Sequence, residues 1–139
     1  MRAVLVDAGP LVALFDENDA WHDWAATQAG RLPPPWLTCE AALSEALHLL
    51  EFHPSGLQRL TTMLERGALI VRFSFADEMS AVVKLLRRYA TTPMSLADAC
   101  LVRMAETIED AFVFTTDGDF RVYRKNNRQV IPLIFPHEP

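Results

Sequence analysis

Three short, mostly apolar runs set the frame of this chain: Ala3–Val6 (AVLV), Ala68–Phe73 (ALIVRF) and Ala111–Phe114 (AFVF). None alternates cleanly between polar and apolar residues, which is the pattern of strands covered on both faces, as in a parallel sheet. Helix signals separate them. Pro10 suits the first turn of a helix reaching Phe15. A second helix follows over Asp19–Ala29, with Trp21, Trp24 and Ala25 on one side. Pro33, Pro34 and Pro35 form a stiff loop, and Trp36–Thr38 is a further short strand. A long helix spans Cys39–Phe52 with Thr38 as its N-cap. Pro54 and Ser55 open another, which Gly67 ends. The tetrads SFAD (Ser74–Asp77) and SLAD (Ser95–Asp98) read as capping boxes for helices reaching Tyr89 and Ile108. The segment DFRVYRK is expected to be a short helix. QVIPLIF is expected to be a closing strand, with Pro132 placing it at a sheet edge. This alternation predicts a three-layer α/β/α fold with a central, mostly parallel sheet of about five strands, in one domain over residues 1–139.

Composition narrows the classes. Half of the 139 residues are hydrophobic and 22% are charged, a globular balance. The net charge of −5 argues against binding nucleic acid through a broad basic surface. It leaves room for a metal site with a local basic patch. Cys39 and Cys100 have no CxxC spacing and read as reduced core thiols. His22, His48, His53 and His137 show no ligand spacing and read as surface or satisfied side chains. Asp7, Gly9 and Pro10 break the apolar N-terminal run, so it is not a signal peptide, and no run has the length of a membrane span. A soluble, cytoplasmic protein is expected.

Four acids stand where the fold has no need of them. In open α/β sheets, function collects at the carboxyl ends of the strands. Asp7 follows the first strand, and Asp117 follows AFVF within TTDGDF (Thr115–Phe120). On a helical wheel, Glu40, Ser44, His48 and Glu51 share a polar arc, whereas Glu45 falls outside it, beside Ala41, Leu49 and Phe52. A carboxylate there is costly to desolvate unless paired or metal-bound. Glu40 is accounted for by the helix dipole. Asp98 is the N3 acid of its capping box, yet it opens an otherwise apolar helix. Each acid alone has a structural explanation as a turn, a cap or a solvated edge. Together, from four segments, Asp7, Glu45, Asp98 and Asp117 form a carboxylate cluster whose mutual repulsion a divalent cation relieves. Oxygen-only ligands suit Mg2+ or Mn2+, and such a site acts on water and phosphodiesters.

The ordered motifs VDAGPLVALF, TCEAALSEALHLL, SLADACLVRMAE and FTTDGDF resemble a PIN domain, in particular the VapC-type toxins of bacterial and archaeal toxin–antitoxin pairs. The resemblance spans nearly the whole chain. It carries the family's acids to Asp7, Glu45, Asp98 and Asp117, and matches Thr116 to the hydroxyl residue before the fourth acid. It implies a Mg2+- or Mn2+-dependent endoribonuclease that cleaves RNA, forms a homodimer and is inhibited by a cognate antitoxin. Asp119 is the alternative fourth ligand; otherwise it caps the short helix near Phe120.

The basic stretch Phe120–Arg128 is either a solvated face or a contact for the RNA backbone. Trp21, Trp24, Leu60, Met63 and Leu64 are candidate dimer contacts. Two other classes compete. A phosphoryl-transfer enzyme with an aspartyl nucleophile wants a second acid where Gly9 stands. A non-catalytic PIN-like module that binds RNA or a partner has no use for buried carboxylates.

Overall fold

The computed structural model describes residues 2–136. In chain order the elements are β1 (Ala3–Val6), α1 (Ala8–Phe15), α2 (His22–Ala29), β2 (Trp36–Thr38), α3 (Glu40–Leu49), α4 (Pro54–Glu65), β3 (Leu69–Val71), α5 (Phe75–Arg88), α6 (Leu96–Thr107), β4 (Ala111–Phe114), a 3-10 turn (Gly118–Arg121), β5 (Arg124–Lys125), β6 (Gln129–Val130) and β7 (Leu133–Ile134). Five strands form a wholly parallel sheet in the order β3-β2-β1-β4-β7. The three-layer α/β/α fold and five-stranded sheet expected from the sequence are both present.

Residue alternation along the strands builds the two outer layers. Leu5, Leu37 and Val113 face one side and pack with Val82 and Leu85 of α5 and Leu101 and Met104 of α6. Val4, Val6, Trp36 and Phe114 face the other, against Leu11 and Phe15 of α1 and Leu60 of α4. Each fully buried Leu contributes about 2 kcal/mol over leaving it in water. Leu60 is fully buried within this core, which removes it from the candidate dimer contacts. Trp24 packs edge-on against Phe114, ring centroids 5.5 Å apart, so it serves the same core.

Chain direction explains where the site lies. From β1 the sheet grows outward through β2 and β3, then the chain returns to β1's other edge to place β4 and β7. The order therefore reverses between β1 and β4, and the crevice beyond their carboxyl ends is where doubly wound sheets hold ligands. β1 and β4 run in register from Ala3↔Ala111 to Val6↔Phe114.

Several local expectations change. Helix α1 begins at Ala8 with Asp7 as its N-cap, which leaves Pro10 in the first turn. Thr38 does not cap α3; its hydroxyl donates to the Val6 carbonyl at 2.8 Å, and Cys39 takes the N-cap position without a side-chain bond. The SLAD box is complete in both directions. In SFAD, Ser74 accepts from the Asp77 N–H at 3.2 Å. DFRVYRK is not a helix beyond its single 3-10 turn: the chain instead enters an antiparallel β5–β6 hairpin, with Asn126 and Asn127 at φ 50° and 71°. Asn tolerates that left-handed geometry better than most residues. QVIPLIF is accordingly two strands, split at Ile131–Pro132, and only Leu133–Ile134 joins the main sheet, at its edge. His137 lies outside the described residues.

Candidate functional site

Asp7, Glu45, Asp98 and Asp117 line one cavity of about 270 Å³, together with Gly9, Ser95 and Thr116. Four elements deliver them. Asp7 leaves β1, where its N–H donates to the Phe114 carbonyl at 2.9 Å. Its carboxylate is tied at both oxygens: Oδ1 accepts from the Ala8 N–H and Oδ2 from the Thr115 hydroxyl, each at 2.8 Å. Thr115 Oγ1 in turn accepts the Asp117 N–H at 3.0 Å. Thr115, fully buried, thus joins the ends of β1 and β4 through one hydroxyl. Thr116, the hydroxyl residue that the resemblance matches before the fourth acid, has no part in these bonds. Thr116 instead lines the cavity and presses on α1 where Gly9 lacks a side chain: a Cβ at Gly9 would stand 2.3 Å from Thr116 Oγ1.

Asp98 is the N3 residue of α6, and its Oδ2 accepts the Ser95 N–H at 2.9 Å. Asp117 is the N-cap of the 3-10 turn, its Oδ1 accepting the Asp119 N–H at 2.9 Å. This corrects the expectation that Asp119 caps that turn. Asp119 is not among the residues lining the cavity. Glu45 also departs from expectation. The buried face of α3 is Ala42, Ala46 and Leu50; Glu45 sits on its flank, exposed to solvent, at the cavity's edge. Desolvation of its own carboxylate is therefore not what distinguishes it. Its position is: Glu40 lines a different cavity, with Cys39, Phe73 and Cys100.

The electrostatics reflect crowding. Asp7 is pushed up to about 7, first by burial and then by repulsion from Asp98 and Glu45, against the lowering effect of Thr115 and Ala8. Asp98 is also raised, by burial foremost and by Asp117. A set of oxygen donors, two of them held uncharged more readily than usual, fits a hard divalent cation, which offsets both burial and repulsion.

A second group was not legible in the sequence. Asp16, Glu17 and His53 bring three ligand atoms within 4.8 Å of one another, a set able in composition and span to take a divalent cation. It lies at the C-terminal end of α1, whereas Asp7 caps the N-terminal end, roughly 12 Å away by helix rise. The imidazole has another duty there. His53 Nδ1 accepts the Gly56 N–H at 2.9 Å as the N-cap of α4. The neutral ring then carries its proton on Nε2, which faces Glu17 at 3.3 Å and Asp16 at 3.7 Å. Coordination by Nε2 would cost that cap.

Of the basic stretch, Arg124 folds back, its Nη1 donating to the Arg121, Val122 and Tyr123 carbonyls. The Arg121 guanidinium lies 5.1 Å from the Phe135 ring centroid. Among the described residues no helix is long and apolar enough to cross a membrane.

No protein-family model and no curated protein matches the chain. Among solved structures, it is similar to Mycobacterium tuberculosis VapC20, described as a sarcin–ricin-loop-cleaving toxin. The two share 24% identity over 94% of this chain and 100% of that one, with a TM-score of 0.73. The fold is thus PIN-like, of the kind seen in a VapC toxin.

Proposed function

We propose that this protein is a VapC-like, Mg2+- or Mn2+-dependent endoribonuclease, with Asp7, Glu45, Asp98 and Asp117 as its metal-holding catalytic residues. One observation carries the reading: four carboxylates from four separate elements meet in one cavity at the strand switch point. The likeness to a toxin that cleaves the sarcin–ricin loop supports RNA as the substrate class.

Asp7, Asp98 and Asp117 would hold the cation, with Glu45 at the exposed rim completing the set or receiving a proton from water. A bound cation supplies Lewis acidity toward water and phosphate oxygens. The chain's own part is orientation. Thr115 fixes Asp7 against Asp117, the α6 capping box fixes Asp98, and Gly9 gives Thr116 room at the wall. Cytoplasmic action, a homodimer and restraint by a cognate antitoxin belong to the same reading. Light scattering giving a monomer mass at all concentrations would remove the dimer.

The test is cleavage of a structured RNA by purified protein in EDTA, then with Mg2+ or Mn2+. Cleavage that needs the cation and is lost in Asp98→Asn is expected. Cation binding with no cleavage of any RNA would favour the non-catalytic RNA- or partner-binding module.

A further inference from the structure

We propose that Tyr123 is a positioning residue for the acid cavity, holding Asp98 so that Oδ1 is the oxygen presented to a divalent cation; this rests on the metal-dependent reading above. Tyr123 does not line the cavity. It is fully buried behind it, in edge-to-face contact with Tyr89 and Phe120, ring centroids 5.2 Å away in each case.

A buried phenol needs a partner for its hydroxyl. Here the single O–H meets two acceptors, the Pro93 carbonyl and Asp98 Oδ2, the latter at 3.3 Å. The Ser95 N–H donates to that same Oδ2 at 2.9 Å. Two donors, one from the α5–α6 loop and one from beyond the 3-10 turn, thus claim one oxygen. Among the described residues none donates to Oδ1. Turning the carboxylate plane away from this orientation breaks both bonds.

The other acids are held differently. Asp7 is tied at both oxygens, and Asp117 uses Oδ1 for its own turn. Asp98 therefore has a sided carboxylate, and Tyr123 supplies the part of that sidedness that its own helix does not. Outer partners of this kind orient ligands and raise metal affinity.

Tyr89 provides the control. It belongs to the same aromatic group, is also buried, and its hydroxyl accepts the Arg124 N–H at 2.9 Å without touching an acid. Tyr123→Phe and Tyr89→Phe each delete one buried hydroxyl, but only the first touches a ligand. Mn2+ binding is followed by the electron paramagnetic resonance signal of the free ion, with metal-free melts alongside. Tyr123→Phe should weaken Mn2+ binding roughly 10- to 100-fold, while Tyr89→Phe binds as the wild type even where its melting temperature falls. Folded Tyr123→Phe with wild-type affinity overturns the proposal and leaves the metal reading intact. Wild-type protein that binds no Mn2+, or binds it undiminished in Asp98→Asn, overturns the metal reading and the proposal with it.

Should Tyr123→Phe fail to fold, fluorotyrosine-labelled protein serves instead. The chain has two tyrosines, so Tyr89→Phe leaves Tyr123 as the one fluorine signal. That signal should move on adding Mg2+, and stay still in Asp98→Asn. A signal unmoved at saturating Mg2+ overturns the proposal.

Discussion

Replacing Asp7 by Asn should change the sign of its effect on stability with pH. In metal-free protein, Asp7 titrates near 7 in the folded state against an ordinary value of 3.8. A raised folded value means the folded state keeps its proton longer than the unfolded chain. Stability from this group is complete below 3.8, falls as pH rises toward 7, and is flat beyond. Each pH unit in that window is worth about 1.4 kcal/mol, so near neutrality the buried carboxylate withdraws about 4 kcal/mol. Asn carries no such penalty, but it has only one oxygen. With the Ala8 N–H retained, the Thr115 hydroxyl loses its acceptor, at a cost of about 1–2 kcal/mol. At pH 4 Asp7→Asn should therefore be less stable than wild type by about 1 kcal/mol. At pH 8 it should be more stable by about 2–3 kcal/mol, which raises the melting temperature by roughly 5–10 °C. Asp98 is raised in both proteins and largely cancels in the difference. Urea melts in EDTA between pH 4 and pH 8 measure the two curves, which should cross near pH 5. A difference that stays constant with pH, or a wild type more stable throughout, refutes burial as the origin of the raised value. Mg2+ should then stabilise the wild type and leave Asp7→Asn nearly unmoved.

Glu45→Gln should lower RNA cleavage by more than about 100-fold, beyond what the loss of an outer partner usually brings, while Glu40→Gln cleaves normally in the same assay. Asp117→Asn should melt as wild type, since Asn caps well, and lose cleavage; Asp117→Ala should lose the cap as well, about 1 kcal/mol in urea melts. Asp119→Asn should retain cleavage, and an inactive Asp119→Asn beside an active Asp117→Asn would exchange their roles. Thr115→Val should cost about 1–3 kcal/mol, because it orphans Asp7 Oδ2 and the Asp117 N–H together, and its cleavage should fall further than its stability explains.

What could be read from the sequence follows the range of the forces involved. Strands β1 to β4 and the SLAD capping box are local signals, and they appear where the sequence places them. Asp7 and Asp117 each cap the element that follows them, and they were legible as site residues because both stand at carboxyl ends of strands, where open α/β sheets collect function. Glu45 was singled out by its wheel position, yet it is solvent-exposed: the wheel gives an angle, while the neighbours that cover or uncover that angle come from other elements. Asp117 and Asp119 are two residues apart, and which of them caps depends on turn dihedrals that composition does not encode. The β5–β6 hairpin turns on two asparagines at positive φ, weaker markers than glycine, so the basic stretch read as helix. The Asp16–Glu17–His53 group is made wholly by tertiary contact between the end of α1 and the start of α4.

The Thr115–Asp7 hydrogen bond spans 108 residues of sequence, and β1 reaches its β4 neighbour only across the same separation. Closing so long a loop is entropically slow, and contacts of this range form late in folding. A ribosome making this chain releases Asp7 first and Asp117 near the end of the described residues. Until β4 docks, β1 has β2 on one edge and nothing on the other, and the acids are not gathered. A chain synthesised only as far as α6 therefore has no assembled acid cavity, because β4 and the turn after it bring Thr115 and Asp117 to Asp7.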